Sequence, residues 1–278
     1  MEKERMDFTD YTDPICPFCT DQFKKQPPVR PIPTQRVLEK LDEHLGRNDY
    51  DSAERHLLYW LDEAKDGRDK HGMLTVENEL MGLYRKTNRK EKALESVRKA
   101  LNLIDDSKLG SAVVAGTTFT NAATVYKAFA MPEESIELFE KAKDIYEKEL
   151  QSDDPRLGGL YNNLGLTLTD LKRFDEAEEY YNKAINVMSN NKNGELEIAI
   201  TYLNLCDLNE AKLGSEQSEK IIDKYIEKAY ELLNRDYLPR NGYYAFVCEK
   251  CAPTFGYFGR FLYQKELSDR ARCIYERN

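Results

Sequence analysis

Two cysteine pairs carry the sharpest chemical signal in this 278-residue chain. Cys16-x-x-Cys19 and Cys248-x-x-Cys251 have zinc-knuckle spacing. Four thiolates complete a tetrahedral zinc site, and each pair alone is a candidate redox dithiol. The pairs lie at opposite ends of the sequence, so a shared site requires the N-terminal segment to fold back along the chain. Thr20 and Ala252 stand where a knuckle glycine often follows. On a helix, Cys248 and Cys251 are i and i+3, where a thiol also packs as a small apolar group. That packing reading is favoured over metal. Other chemistry is scarce. The histidines are His44, His56 and His71, and no Gly-x-Ser-x-Gly elbow, phosphate-binding glycine loop or His-Glu-x-x-His helix is present. The acidic runs Glu133-Glu134 and Glu178-Glu179 fall on helix faces predicted to be solvated. Neither an enzyme nor a cofactor is expected.

The elements that would position any site are helices. In Leu157 to Ser189, Tyr161, Leu164, Gly165 and Leu168 recur at helical spacing. So do Phe174, Ala177, Tyr181, Ala184, Ile185 and Met188. Lys172-Arg173 forms the turn between the two helices, with Asp175 placed to cap the second. Such a hairpin cannot bury its apolar face alone, and the chain supplies neighbours at a 42-residue step. Stepping back from Leu164, Gly165, Ala177, Tyr181 and Ala184 gives Ala122, Ala123, Ser135, Phe139 and Ala142, then Leu80, Met81, Ala93, Val97 and Ala100. Stepping forward gives Cys206 and Asp207 and, after an insertion near Gly214, Ile222, Ile226 and Ala229.

This order of large and small residues resembles the tetratricopeptide repeat, in the long-period form of the kinesin light chain. The resemblance covers residues 34–278 and implies an all-α, right-handed α-solenoid of about six helical hairpins. The expected pairs are 34–47 with 50–66, 73–87 with 90–105, 111–130 with 133–151, 156–171 with 175–190, 194–213 with 216–235, and 240–262 with 264–277. Pro253 is expected to kink or break the first helix of the last pair. The aromatic-rich run TFGYFGRFLY, with Tyr243, Tyr244 and Phe246, is expected to form the core of the C-terminal cap.

In this family the first helix of each pair lines the concave face. The resemblance then places Asn78, Thr120, Asn162 and Asn204 at one register of that face, with Thr75, Thr117, Gly159 and Thr201 one turn earlier and Asn121 and Asn163 adjoining. An asparagine offers both a donor and an acceptor to an extended peptide backbone whatever its sequence. Arg85, Lys127 and Lys212, near the ends of those helices, are implied partners for an acidic side chain or a chain end. The expected function is a non-enzymatic scaffold that binds a protein or peptide, the ligand being acidic or C-terminal. A peptide-sensing regulator acting through a separate effector is the alternative, beside the zinc or redox reading.

Composition agrees with an elongated helical array: 41% hydrophobic and 33% charged residues, with a net charge of −9. That balance argues against general nucleic-acid or anionic-membrane binding. No apolar run reaches membrane-spanning length and MEKERMDFTD has no signal-peptide core, so a cytoplasmic location is expected. Residues 1–33 form a separate N-terminal extension. Its PPVRPIP run reads as extended polyproline, and KQPPVRP also fits a weak SH3-ligand pattern. Either a partly ordered tail or a segment docked through Phe8, Tyr11, Ile15, Phe18 and Phe23 is compatible with its composition.

Overall fold

A computed structural model describes residues 28–106 and 112–276. Within them the backbone forms twelve α-helices and no strand, arranged as six hairpins. These are α1 (Thr34–Gly46) with α2 (Tyr50–Asp66), α3 (Lys70–Lys86) with α4 (Lys90–Asp106), and α5 (Ala112–Ala128) with α6 (Pro132–Glu149). They continue as α7 (Pro155–Asp170) with α8 (Phe174–Ser189), α9 (Glu195–Leu213) with α10 (Ser215–Leu233), and α11 (Gly242–Tyr257) with α12 (Phe261–Tyr275). The fold is the all-α solenoid that the 42-residue pattern implies.

Most of the hairpins close in one way. Asn48, Asn88, Ala130, Lys172 and Gly259 take positive φ just past α1, α3, α5, α7 and α11. Beyond each, an amide reaches five residues back: Asp49 to His44 O, Arg89 to Tyr84 O, Met131 to Tyr126 O, Arg173 to Leu168 O and Arg260 to Phe255 O, at 2.8–3.0 Å. This is a Schellman closure, and the donating residue starts the next helix. The geometry corrects the expected cap of α8. Arg173, not Asp175, is its N-cap, and Asp175 sits in the first turn. At Ala130 a side chain occupies a left-handed position that suits glycine. Ala130→Gly should therefore raise stability by about 1 kcal/mol in urea unfolding.

The core is built from size complementarity between the two helices of a hairpin. Gly165 of α7 lies against Tyr181 of α8, so close that a Cβ at Gly165 would stand 2.6 Å from the ring. The same register holds Ala123 with Phe139 and Met81 with Val97, all fully buried. As the residue on the second helix grows, its partner on the first shrinks, which keeps packing dense. Ala93, Ala100, Ala142, Ala177, Ala184 and Ala229 are buried as the repeat requires.

Two expectations about the last hairpin change. α11 is unbroken through Pro253. The carbonyl that loses its donor belongs to Glu249, and both residues are exposed, so water can satisfy it. The helix ends at Tyr257 because Gly259 closes the turn. The aromatic run also divides. Tyr244 and Phe255 are fully buried, whereas Tyr243, Phe246, Tyr257 and Phe261 are exposed.

Of the N-terminal extension, residues 28–33 are described. The Arg30 amide donates to Gly67 O at 2.9 Å, and the Ile32 amide donates to the Asp69 carboxylate at 2.9 Å. Ile32 is buried, and Asp69 also caps α3 through the Gly72 amide. The segment is thus pinned to the α2–α3 turn. Cys16, Cys19 and the aromatic residues from Phe8 to Phe23 lie outside the described residues.

Candidate peptide-binding face

Successive odd-numbered helices from α3 to α11 contact one another, while successive even-numbered helices approach far less. The odd helices therefore stand on the inside of the bend and form one continuous concave wall. The asparagine register lies on this wall. Asn78 Nδ2 donates to Leu74 O at 2.8 Å and to Thr118 Oγ1 at 3.0 Å, and Asn121 Nδ2 donates to Asn78 Oδ1 at 2.7 Å. Two repeats on, Asn204 Nδ2 donates to Asn162 Oδ1 at 2.9 Å. The amides thus bridge neighbouring helices, α3 to α5 and α7 to α9. Thr120 instead bonds Gly116 O of its own helix, and Asn163 is half-buried.

Each bridge leaves polar capacity unused. Among the described residues, Asn162 Nδ2 and Asn204 Oδ1 make no hydrogen bond within the protein, and neither is sealed from solvent. Either orientation of the two amides leaves one donor and one acceptor side by side. One turn away Gly159 faces open space, since a Cβ there would meet nothing within 4 Å. Gly159→Ala should raise stability by about 0.5–1 kcal/mol in thermal unfolding, because an interior helical glycine is replaced without a clash.

The cations that the sequence assigns to this face are largely engaged. Lys127 pairs with Asp170 of α7 at 3.4 Å. Lys212 pairs with Asp175 and Glu178 of α8 at 2.6 and 3.7 Å. These are ties between hairpins. Arg85 alone of the three is exposed without an ion pair among the described residues.

Sequence reasoning passed over the carboxylates and rings at the α9–α11 end. Asp207 occupies the register of Gly165, and a charge at a nominally buried position was the available signal. Its side chain reaches water from the floor of a concave wall, with α7 and α11 packed on either side of α9. Loss of surrounding water, with Glu210 nearby, pushes its carboxyl up to about 6. Burial also raises Glu197, partly offset by Lys250, and raises Glu79, which has Asp42 nearby. Across from them on α11, Tyr243 Oη donates to Glu197, and Tyr257 Oη donates to Glu210 at 2.9 Å.

Residues 114–190 match the family model of the tetratricopeptide repeat. This stretch carries tetratricopeptide repeats. Its solenoid is similar to the tetratricopeptide-like repeats of a putative kinesin light chain from Podosopora anserina, at 17% identity and a TM-score of 0.52 over 72% of this chain and 93% of that one. It is similar as well to PilF of Pseudomonas aeruginosa, at 15% identity and a TM-score of 0.51 over 87% of this chain and 92% of that one. At these identities the likeness concerns the fold. No curated protein matches the chain.

Within the repeats, Cys248 and Cys251 are buried on α11, and burial pushes Cys251 up to about 12. Both pack in the apolar core of the last two hairpins. Among the described residues no cluster of three or more histidine, cysteine or carboxylate side chains is placed to hold a metal ion. No described helix is long and apolar enough to cross a membrane.

Proposed function

We propose that the chain is a protein-binding scaffold that captures an extended peptide segment on its concave wall. The observation that carries this reading is the Asn162–Asn204 bridge, which leaves one donor and one acceptor together on the inner face. An extended backbone offers the complementary carbonyl and amide, and would exchange the solvent contact of these two groups for hydrogen bonds. The ladder thus serves two purposes. At Asn162 and Asn204, half of each amide holds adjacent hairpins in register, and the other half meets the ligand. Leu166 and the neighbouring Gly159 would shape the pocket beside it.

The test is selection of a displayed random dodecapeptide library on the full chain, beside the Asn162→Ala/Asn204→Ala variant. A circular-dichroism melt first establishes that the variant is folded. The reading predicts enriched families on wild type that bind the variant at least about tenfold more weakly, the loss of one to two hydrogen bonds and their geometry. Equal enrichment on both proteins, or none on wild type, would overturn it.

A further inference from the structure

The α9–α11 end of the wall joins two features that the binding reading leaves unexplained to the amide pair on which that reading rests. The first is charge. Asp207, Glu197 and Glu210 line α9, and the cations nearest in sequence or register are spent elsewhere, Lys127 on Asp170 and Lys212 on Asp175 and Glu178. Lys250 of α11 lies near enough to lower Glu197, and among the described residues Asp207 makes no ion pair. The second feature is an aromatic surface on α11. Tyr243 is 47%, Phe246 50% and Tyr257 70% exposed, a rim of ring faces that a closed cap would have buried. The Tyr243 and Phe246 rings lie nearly parallel, with centroids 6.3 Å apart. The amide pair contributes Asn162, a residue more than nine-tenths buried whose Nδ2 has no hydrogen bond within the protein, held to Asn204 and hence one helical turn from Asp207.

We infer that the segment captured here is basic, its lysine or arginine side chains seating along the α9–α11 floor, against Asp207 and Glu210 beside Tyr257 and against Glu197 beside Tyr243. This rests on the binding reading above and names the chemistry of its ligand. Carboxylates beside open ring faces suit a cation twice over, through charge and through the ring quadrupole. Asn162 and Asn204 then hold the backbone of the same segment. An acidic ligand would instead add negative charge to a floor that lacks a free counter-ion at Asp207, within a chain of net charge −9. Partial loss of water on the floor of the wall, with Glu210 nearby, raises the Asp207 carboxyl, as expected of a group whose counter-charge comes from a partner.

The experiment uses the peptide families from the library selection. The expected result is enrichment of lysine and arginine among peptides whose capture depends on Asn162 and Asn204. The tightest of them, labelled with fluorescein, should bind the Asp207→Asn/Glu197→Gln variant about tenfold more weakly by anisotropy, and its binding should weaken as salt is raised. A charge-reversed version with glutamate at every basic position should not bind. Tyr257→Ala, at an exposed ring, supplies a second variant should the first be unfolded, and should weaken the same peptide severalfold. Asparagine-dependent peptides that are acidic or without charge bias would overturn the basic inference and leave groove capture standing. Basic peptides indifferent to Asp207, Glu197 and Tyr257 would also overturn it, because binding would then follow the overall charge. Loss of all asparagine dependence would remove the groove reading and this inference together.

Discussion

Replacing Tyr181 by alanine is expected to cost about 3–5 kcal/mol of unfolding free energy, the range for truncating a large buried aromatic. The ring is fully buried between α7 and α8, pressed on the bare backbone of Gly165, and its volume fills a space that no neighbour can enter. The hydroxyl matters little, since its contact with Thr169 Oγ1 is long at 3.5 Å. Tyr181→Phe should therefore be close to neutral. Because each hairpin contacts only its neighbours, the loss should also weaken coupling between the two halves of the array. Urea unfolding followed by circular dichroism measures both, as a lower midpoint and a shallower transition. Gly165→Ala probes the same contact from the other side and should cost about 1–3 kcal/mol by overpacking. A change under about 1 kcal/mol for Tyr181→Ala would mean that the complementary pair is not what holds the central hairpin together.

The second large effect is expected at Glu77, with the opposite sign. This carboxylate is buried on α3, and its Oε2 has no partner. Burial raises its pKa, opposed by the Ser96 hydroxyl and by Lys99 and Lys65, with Glu95 adding to the rise. A carboxyl with a raised folded-state pKa binds more protons folded than unfolded. Stability is therefore fully present below the ordinary glutamate value and falls as pH rises towards the folded value. Glu77→Gln keeps an acceptor for Ser96 and removes the charge. It should stabilise by on the order of 1–3 kcal/mol at pH 7 and by almost nothing near pH 4. Unfolding midpoints measured at those two pH values decide it. An equal gain at both would show that the charge is not the origin of the cost.

The hairpins were legible because the repeat writes its packing into residue size. Gly165 opposite Tyr181 and the buried alanine series are visible as a period, and a period of small and large residues has one structural meaning here. The α8 cap was misread because the Schellman closure of α7 fixes where α8 begins, whatever side chain follows. The ion pairs of the lysines were not legible for another reason. Lys127 and Lys212 meet partners 43 and 37 residues away in neighbouring hairpins, Asp170 and Asp175, and that pairing depends on how hairpins stack. Helical spacing places Tyr243 and Tyr244 side by side in sequence without telling which is the core residue. Packing against α12 and α9 buries the second and leaves the first on the wall.

The central claim is that ligand lies on the inner wall of odd-numbered helices. Photo-crosslinking tests it most directly, with benzoylphenylalanine placed at Gly159, where the wall has open space, or at exposed Glu179 of α8 on the outer layer. The probe is the fluorescein-labelled dodecapeptide from the selection. The account predicts a crosslink from position 159 that excess unlabelled peptide abolishes, and none from position 179. A competable crosslink from position 179, with none from 159, would contradict it.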